Sequence, residues 1–178
     1  MRRAATAPSA STAAVRTATE RPRVDIHEKP RLLSAVELWL RSENWKFAQM
    51  EGENAFRMDI QGKSGVWTCF TRTDEEREIL LMHSIVPNRV PPARRPAAAE
   101  FLTRANYGML VGNFEMDMND GEVRFKTSVC VAGGTLSPGM IRKVVSYNLS
   151  TLDRYLTGLN KVVYGEADPA KTIDEIEK

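Results

Sequence analysis

From Ser137 onward, Ile141, Val144, Val145, Leu149, Leu152, Tyr155, Leu156, Leu159 and Val163 recur at helical spacing until Gly165 ends the run. Ser137-Pro138 is an N-cap followed by a first-turn proline. The stripe therefore predicts one helix of about 26 residues, ~39 Å long at about 1.5 Å per residue. A helix with a single apolar stripe has to bury it against another layer.

The upstream sequence supplies that layer. After Lys46 the period changes to two, with a short strand over residues 46–51 and then Phe56, Met58 and Ile60 alternating with Arg57, Asp59 and Gln61. Gly62 and Gly65 mark a turn. Residues 66–72 are apolar on both sides, which predicts a central strand, and residues 78–86 form another after a charged turn at 74–77. Before the strands, Leu32, Leu33, Val36, Trp39 and Leu40 define a helix over 31–43, and Asn44 suits the left-handed residue that ends it. After Pro87, Pro91, Pro92 and Pro96 a second helix buries Ala98, Phe101, Leu102 and Ala105 and stops at Gly108; Pro96 fits only in its first turn. The order α, three or four β, α, β-hairpin, α predicts an α+β fold, an antiparallel sheet with helices on one face.

The hairpin has a predicted register. Asp120-Gly121 is the signature of a two-residue type I′ turn. It sets Met118 opposite Val123, Met116 opposite Phe125, Asp117 opposite Arg124 and Glu115 opposite Lys126, with the two ion pairs worth about 0.2–1 kcal/mol each.

The formal net charge of +2 is unevenly placed. Residues 1–24 carry five Arg and one Glu, and thirteen of them are Ala, Ser or Thr. An Arg-rich, hydroxyl-rich, acid-poor start reads as an organelle transit peptide. An unstructured tail in a bacterium rich in Ala and Arg codons is the other reading. Residues 15–18 (VRTA) resemble the stretch before cleavage in plastid precursors. The expected division is a transit or disordered segment at 1–29, a folded body at 30–165 and an acidic flexible tail at 166–178 with one helical turn near 173–176. The body is net negative and lacks a basic stripe with interleaved aromatics, which argues against nucleic acid. No run of 18 apolar residues exists, so no membrane-spanning helix is expected.

Catalytic and metal patterns are missing from the chain. It has no HxxxH, CxxC or HExxH, and neither glycine-rich phosphate motif. The acidic cluster Glu115, Asp117, Asp120 and Glu122 lacks the spacing of a calcium loop. Cys69, Cys130 and His83 all sit in apolar strand segments and read as structural. No catalytic residue, metal or cofactor is therefore expected. Arg89, Arg94 and Arg95, with Arg104, form a basic patch that reads either as a solvated helix start or as an anion site.

Three segments carry a family resemblance: S-I-V-P-N-R-V-P-P-A-R-R at 84–95, F-L-T-R-A-N-Y-G at 101–108 and G-N-F-E-M-D-M-N-D-G-E-V-R-F-K-T at 112–127. Together they closely resemble the YbjN family of bacterial sensory transduction regulators, found in bacteria, cyanobacteria and plastids, across residues 31–163. Asn44 stands where the family often has Gly before Trp45, and Pro96 within the second helix is a further departure. The resemblance implies a fold like that of type III secretion chaperones, small domains that bind other proteins and often dimerise, with no established enzyme activity. It implies a non-enzymatic, chaperone-like or regulatory module with an unidentified protein partner, a homodimer being one form. Asn106, Gly108, Gly112, Asn113, Glu115, Asp117 and Gly121 match the family motif, and their types suit caps, turns and close backbone approach. The binding surface would be the exposed sheet face or the helix 138–164. Two rival readings remain open: a small-ligand or anion sensor using Arg89, Arg94 and Arg95, and a hydrolase in which His83 adjoins Cys69. The implied address is the chloroplast stroma, or else a bacterial cytoplasm.

Overall fold

The computed structural model describes residues 31–178; the expected transit segment at 1–29 lies outside the described residues. The elements are α1 (Arg31–Ser42), β1 (Ala48–Gln49), β2 (Ala55–Gln61), β3 (Val66–Asp74), β4 (Ile79–Ile85), α2 (Arg95–Tyr107) after a short 3₁₀ turn, β5 (Asn113–Met116), β6 (Val123–Cys130), α3 (Pro138–Tyr164) and α4 (Pro169–Glu177). The six strands make one antiparallel sheet in the order β1-β2-β3-β4-β6-β5. This is the expected α+β class, and β3 is central as its doubly apolar pattern implied.

One face of the sheet carries the core. Phe56, Met58, Trp67, Cys69, Leu80, Met82, Phe114 and Phe125 are buried there together with Leu33 and Leu40 of α1, Phe101 of α2 and Ile141, Leu152 and Leu159 of α3. α3 lies across β4 and β6, and Ser137 caps it by accepting the Met140 N–H, as its sequence predicted. Asn44 adopts φ 56 after α1. The charged turn at 74–77 does more than turn: the Glu75 carboxylate accepts the Leu32 and Leu33 N–H groups at 3.0 Å each. Those donors have no partner within their own helix, so the turn docks α1 on the end of the sheet.

The hairpin register differs from the expected one by two residues. Met116 faces Val123, Glu115 faces Arg124 and Phe114 faces Phe125. Residues 117–122 form a wider loop, closed by Asp117 N–H to Glu122 O at 2.9 Å and Gly121 N–H to Asp117 O at 2.8 Å. Two local turns hold it, with Asp117 Oδ1 accepting the Asn119 N–H and Asp120 Oδ1 the Glu122 N–H. Its backbone is engaged from outside, by Val90 N–H to Gly121 O at 2.8 Å and Arg95 Nη1 to Met118 O at 2.9 Å. These tertiary bonds outweigh the preference for a two-residue turn. A shift of two keeps every side chain on its expected face, so the apolar face survives while Asp117 loses Arg124 and Met118 becomes exposed.

The C-terminal tail is also corrected. Residues 169–177 form a full helix whose Thr172 and Ile173 are buried and which packs on α2 and α3. Asp168 caps it, accepting the Lys171 N–H at 2.9 Å. The helix seats where α3 presents Gly158, at which a Cβ would strike Ile176 Cδ1 and come within 3.1 Å of Thr172 Cγ2 and 3.3 Å of Phe101 Cζ. Gly158→Val is expected to unseat α4 at a cost of about 1–3 kcal/mol. Amide hydrogen exchange would show this as lost protection in residues 169–177 with protection in α3 retained.

Candidate functional site

The three arginines of the expected anion patch all have internal partners. Arg89 pairs with Glu122 at 3.1 Å and with Asp120. Arg94 donates to Val162 O at 2.6 Å, and Arg95 to Val90 O at 3.3 Å and Met118 O at 2.9 Å. They fasten the segment before α2 to the hairpin loop and to α3, and they do not converge on a shared pocket. Arg104 pairs with Glu100 along α2.

The motif residues gather at the β5–β6 end. The Asn106 side chain mimics a strand: its Oδ1 accepts the Phe114 N–H at 2.7 Å and its Nδ2 donates to Phe114 O at 3.0 Å. That fills the outward hydrogen-bonding groups of Phe114 on edge strand β5. Gly108 caps α2, and Asn113 Nδ2 donates to Glu115 at 3.3 Å. At Gly112, φ is +80, and a Cβ would meet Lys126 O at 2.6 Å. The opposite edge strand, β1, has only two residues. It pairs only with Phe56 and Arg57 of β2.

Cys69 and His83 lie on opposite faces. Cys69 is buried in the core face beside Ser84 Oγ at 2.9 Å, where burial pushes its thiol up to about 12. His83 belongs to the other face, between Phe70 and Lys126 in the strand register. The pairing that the hydrolase reading required is not formed.

That other face is the candidate surface. No described helix covers it, and its cross-strand rows run Arg57–Phe70–His83–Lys126–Asn113 and Asp59–Thr68–Ile85–Arg124–Glu115. Val66 is 54% exposed, and Phe70, Ile79, Leu81, His83 and Ile85 are half-buried. A concavity of about 720 Å³ opens here, lined by Arg72, Ile79, Leu81, His83, Arg124 and Lys126, with Asp74, Glu75 and Glu76 at one end. Arg124 Nε donates to Glu115 at 2.7 Å, and Lys126 reaches the same carboxylate. Burial alone would raise the Glu115 pKa, but hydrogen bonds from Lys126, Arg124 and Asn113 outweigh it and hold the group down at about 2. His83 Nε2 is shielded from solvent and has no hydrogen-bond partner. Burial and then the charge on Arg124 lower His83 to about 4, against a smaller upward pull from Glu115.

The His83 shift has a sign that can be measured. Its folded value lies below the unfolded one, about 6.5, so the unfolded chain takes up the proton first as pH falls. The associated stability is complete above pH 6.5 and is lost as pH drops towards the folded value near 4. Glu115 acts in the same direction but only below its unfolded value of 4.5. Urea unfolding at pH 6.5 and pH 5 isolates the histidine. The expected loss is about 1 kcal/mol once partial exposure is discounted, and His83→Gln should flatten it.

Sequence reasoning named His83 as a core or sheet-face residue and read Arg124 and Lys126 as cross-strand partners. It did not bring them together with Arg72 and Leu81. The signal was present in the apolar outward positions Val66, Phe70, Leu81 and Ile85 of the two central strands, which exceed what a solvated face requires.

A protein-family model described as "Putative bacterial sensory transduction regulator" matches residues 32–161. Among solved structures, the chain is similar to YbjN, "a putative transcription regulator from E. coli", with a TM-score of 0.58 at 16% identity over 73% of this chain and 92% of that one. A chain of the HopA1-SchA chaperone-effector complex gives 0.48 at 16% identity, over 76% of this chain and 98% of that one. A chain of the ExsC-ExsE complex gives 0.45 at 14% identity, over 71% and 90%. Comparison with curated protein sequences yields no match.

Proposed function

The chain belongs to the YbjN family, and from that membership we propose that it is a non-enzymatic protein-binding module, chaperone-like or regulatory, whose recognition surface is the open face of its sheet. The observation that carries this reading is the concave, partly apolar surface around Leu81 and His83 on a sheet whose other face is covered by helices. A patch of apolar side chains in a concavity is the usual mark of an interaction site. The long helix α3 is the weaker candidate, because its apolar stripe from Ile141 to Val163 is buried in the core. The anion-sensor reading has less support, since Arg89, Arg94 and Arg95 each have a partner within the fold.

Affinity purification from the native host tests the reading when three full-length baits are compared. A partner held by wild type and by Lys143→Ala on the outside of α3, but lost by Val66→Lys/Leu81→Lys, supports it. A partner retained by the sheet-face variant, or lost only with the α3 variant, contradicts it. The sizes of the purified baits report whether the chain self-associates. The plastid address rests on the composition of residues 1–24. A fluorescent reporter fused to residues 1–30 should accumulate in plastids, and a diffuse cytosolic signal would reject that address.

A further inference from the structure

The ion pairs of the open face are not evenly matched. Towards β2, Arg57 pairs with Asp59 at 3.1 Å and Arg72 with Glu53 at 2.5 Å, one cation to one carboxylate. Across β5 and β6 a single carboxylate, Glu115, serves both Arg124 and Lys126. The third group of this cluster, His83, is shielded, lacks a partner at Nε2, and has Phe70 beside it in the sheet. Leu81 and Ile79 continue the same wall. Two cations that share one carboxylate, set beside apolar side chains, complement a further carboxylate that arrives with apolar neighbours.

Resting on the protein-binding reading above, we infer that the concavity lined by Leu81, His83, Arg124 and Lys126 seats an extended peptide segment of a partner that carries an acidic side chain between apolar ones. The carboxylate meets Arg124 and Lys126 in competition with Glu115, and the flanking side chains lie on Leu81 and Ile79. The acidic residues Asp74, Glu75 and Glu76 at the far end of the concavity disfavour a second carboxylate there, so the segment has one acidic position and a direction.

Fluorescence anisotropy with the full-length chain tests this, using labelled peptides of alternating Leu and Ser with one central Glu, Gln or Lys. The Glu peptide should bind about tenfold more tightly than the Gln peptide, the scale of one charge-assisted contact, and the Lys peptide most weakly. Arg124→Met/Lys126→Met should abolish the Glu preference while leaving affinity for the Gln peptide unchanged. Glu115→Gln should tighten the Glu peptide severalfold, because it releases both cations; circular dichroism would verify that each variant is folded. Equal binding of Glu and Gln peptides, no binding of either, or stronger binding of a short oligothymidine would overturn the inference. If all three peptides bind equally and Leu81→Lys weakens all of them, the acidic preference fails while the sheet-face reading stands.

Discussion

Asn148→Leu is expected to destabilise the protein by about 3 kcal/mol, lowering the melting temperature by about 6–12 °C for a chain of this size. Asn148 is fully buried on α3, facing the sheet. Its Oδ1 accepts the Ser84 hydroxyl at 2.5 Å, and its Nδ2 donates to Met82 O and Phe125 O at 3.1 Å each and to Thr127 Oγ1 at 3.2 Å. Ser84 Oγ in turn accepts from Trp67 Nε1 at 3.1 Å. One side chain thus joins the long helix to β4 and β6 and, through Ser84, to β3. Leucine keeps the branched outline but is bulkier and supplies neither donor nor acceptor, and it takes away the Ser84 hydroxyl's amide acceptor out of reach of water, where an unmade bond costs its desolvation. The double variant Asn148→Leu/Ser84→Ala should gain no stability over Asn148→Leu alone, because removing the hydroxyl also strands the buried Trp67 Nε1–H. Urea denaturation of the four members of the cycle measures the coupling.

Gly121→Ala is expected to cost about 3 kcal/mol or more. Left-handed backbone accounts for about 1–2 kcal/mol of this, since Gly121 has φ +78. The remainder is steric: a Cβ there would run into Val90 O and lie 3.0 Å from Val90 N. The contact cannot relax cheaply, because Val90 N–H bonds to Gly121 O, and Arg89 and Arg95 tie the same two segments together. Gly52→Ala is the internal control: its φ is similar at +72 but no atom lies within 4 Å of the added carbon. It should cost only about 1 kcal/mol. Thermal unfolding of the two variants separates backbone strain from close approach.

The parts of this fold that sequence expressed are those with redundant signals. α1 and α3 each combine an apolar stripe with a cap or a terminator, and the burial of Ala98, Phe101, Leu102 and Ala105 on α2 followed from spacing alone. The hairpin shows where redundancy ended. Faces were legible because parity is local, but the register depended on Val90 and Arg95, which act from 23 or more residues away. Asp168-Pro169 carries the same cap signal as Ser137-Pro138. Alone that signal does not specify a helix, because a nine-residue helix is marginal by itself and gains its stability from the groove at Gly158. The carbonyls that take up Arg94 and Arg95 leave no trace in sequence, so these half-buried cations carry no local sign of their backbone partners. The candidate site was the least legible part. Strands β3 and β4 have apolar residues on both faces, and nothing local records which face the helices leave open.

Site-specific photo-cross-linking in the native host tests the sheet face as the recognition surface most directly. A photoreactive phenylalanine analogue would be placed at Val66, at Leu81 and, on the outside of α3, at Tyr147. The account predicts a discrete cross-linked partner from positions 66 and 81 and none from 147. Cross-links arising from 147 alone, with none from the two sheet positions, would contradict it.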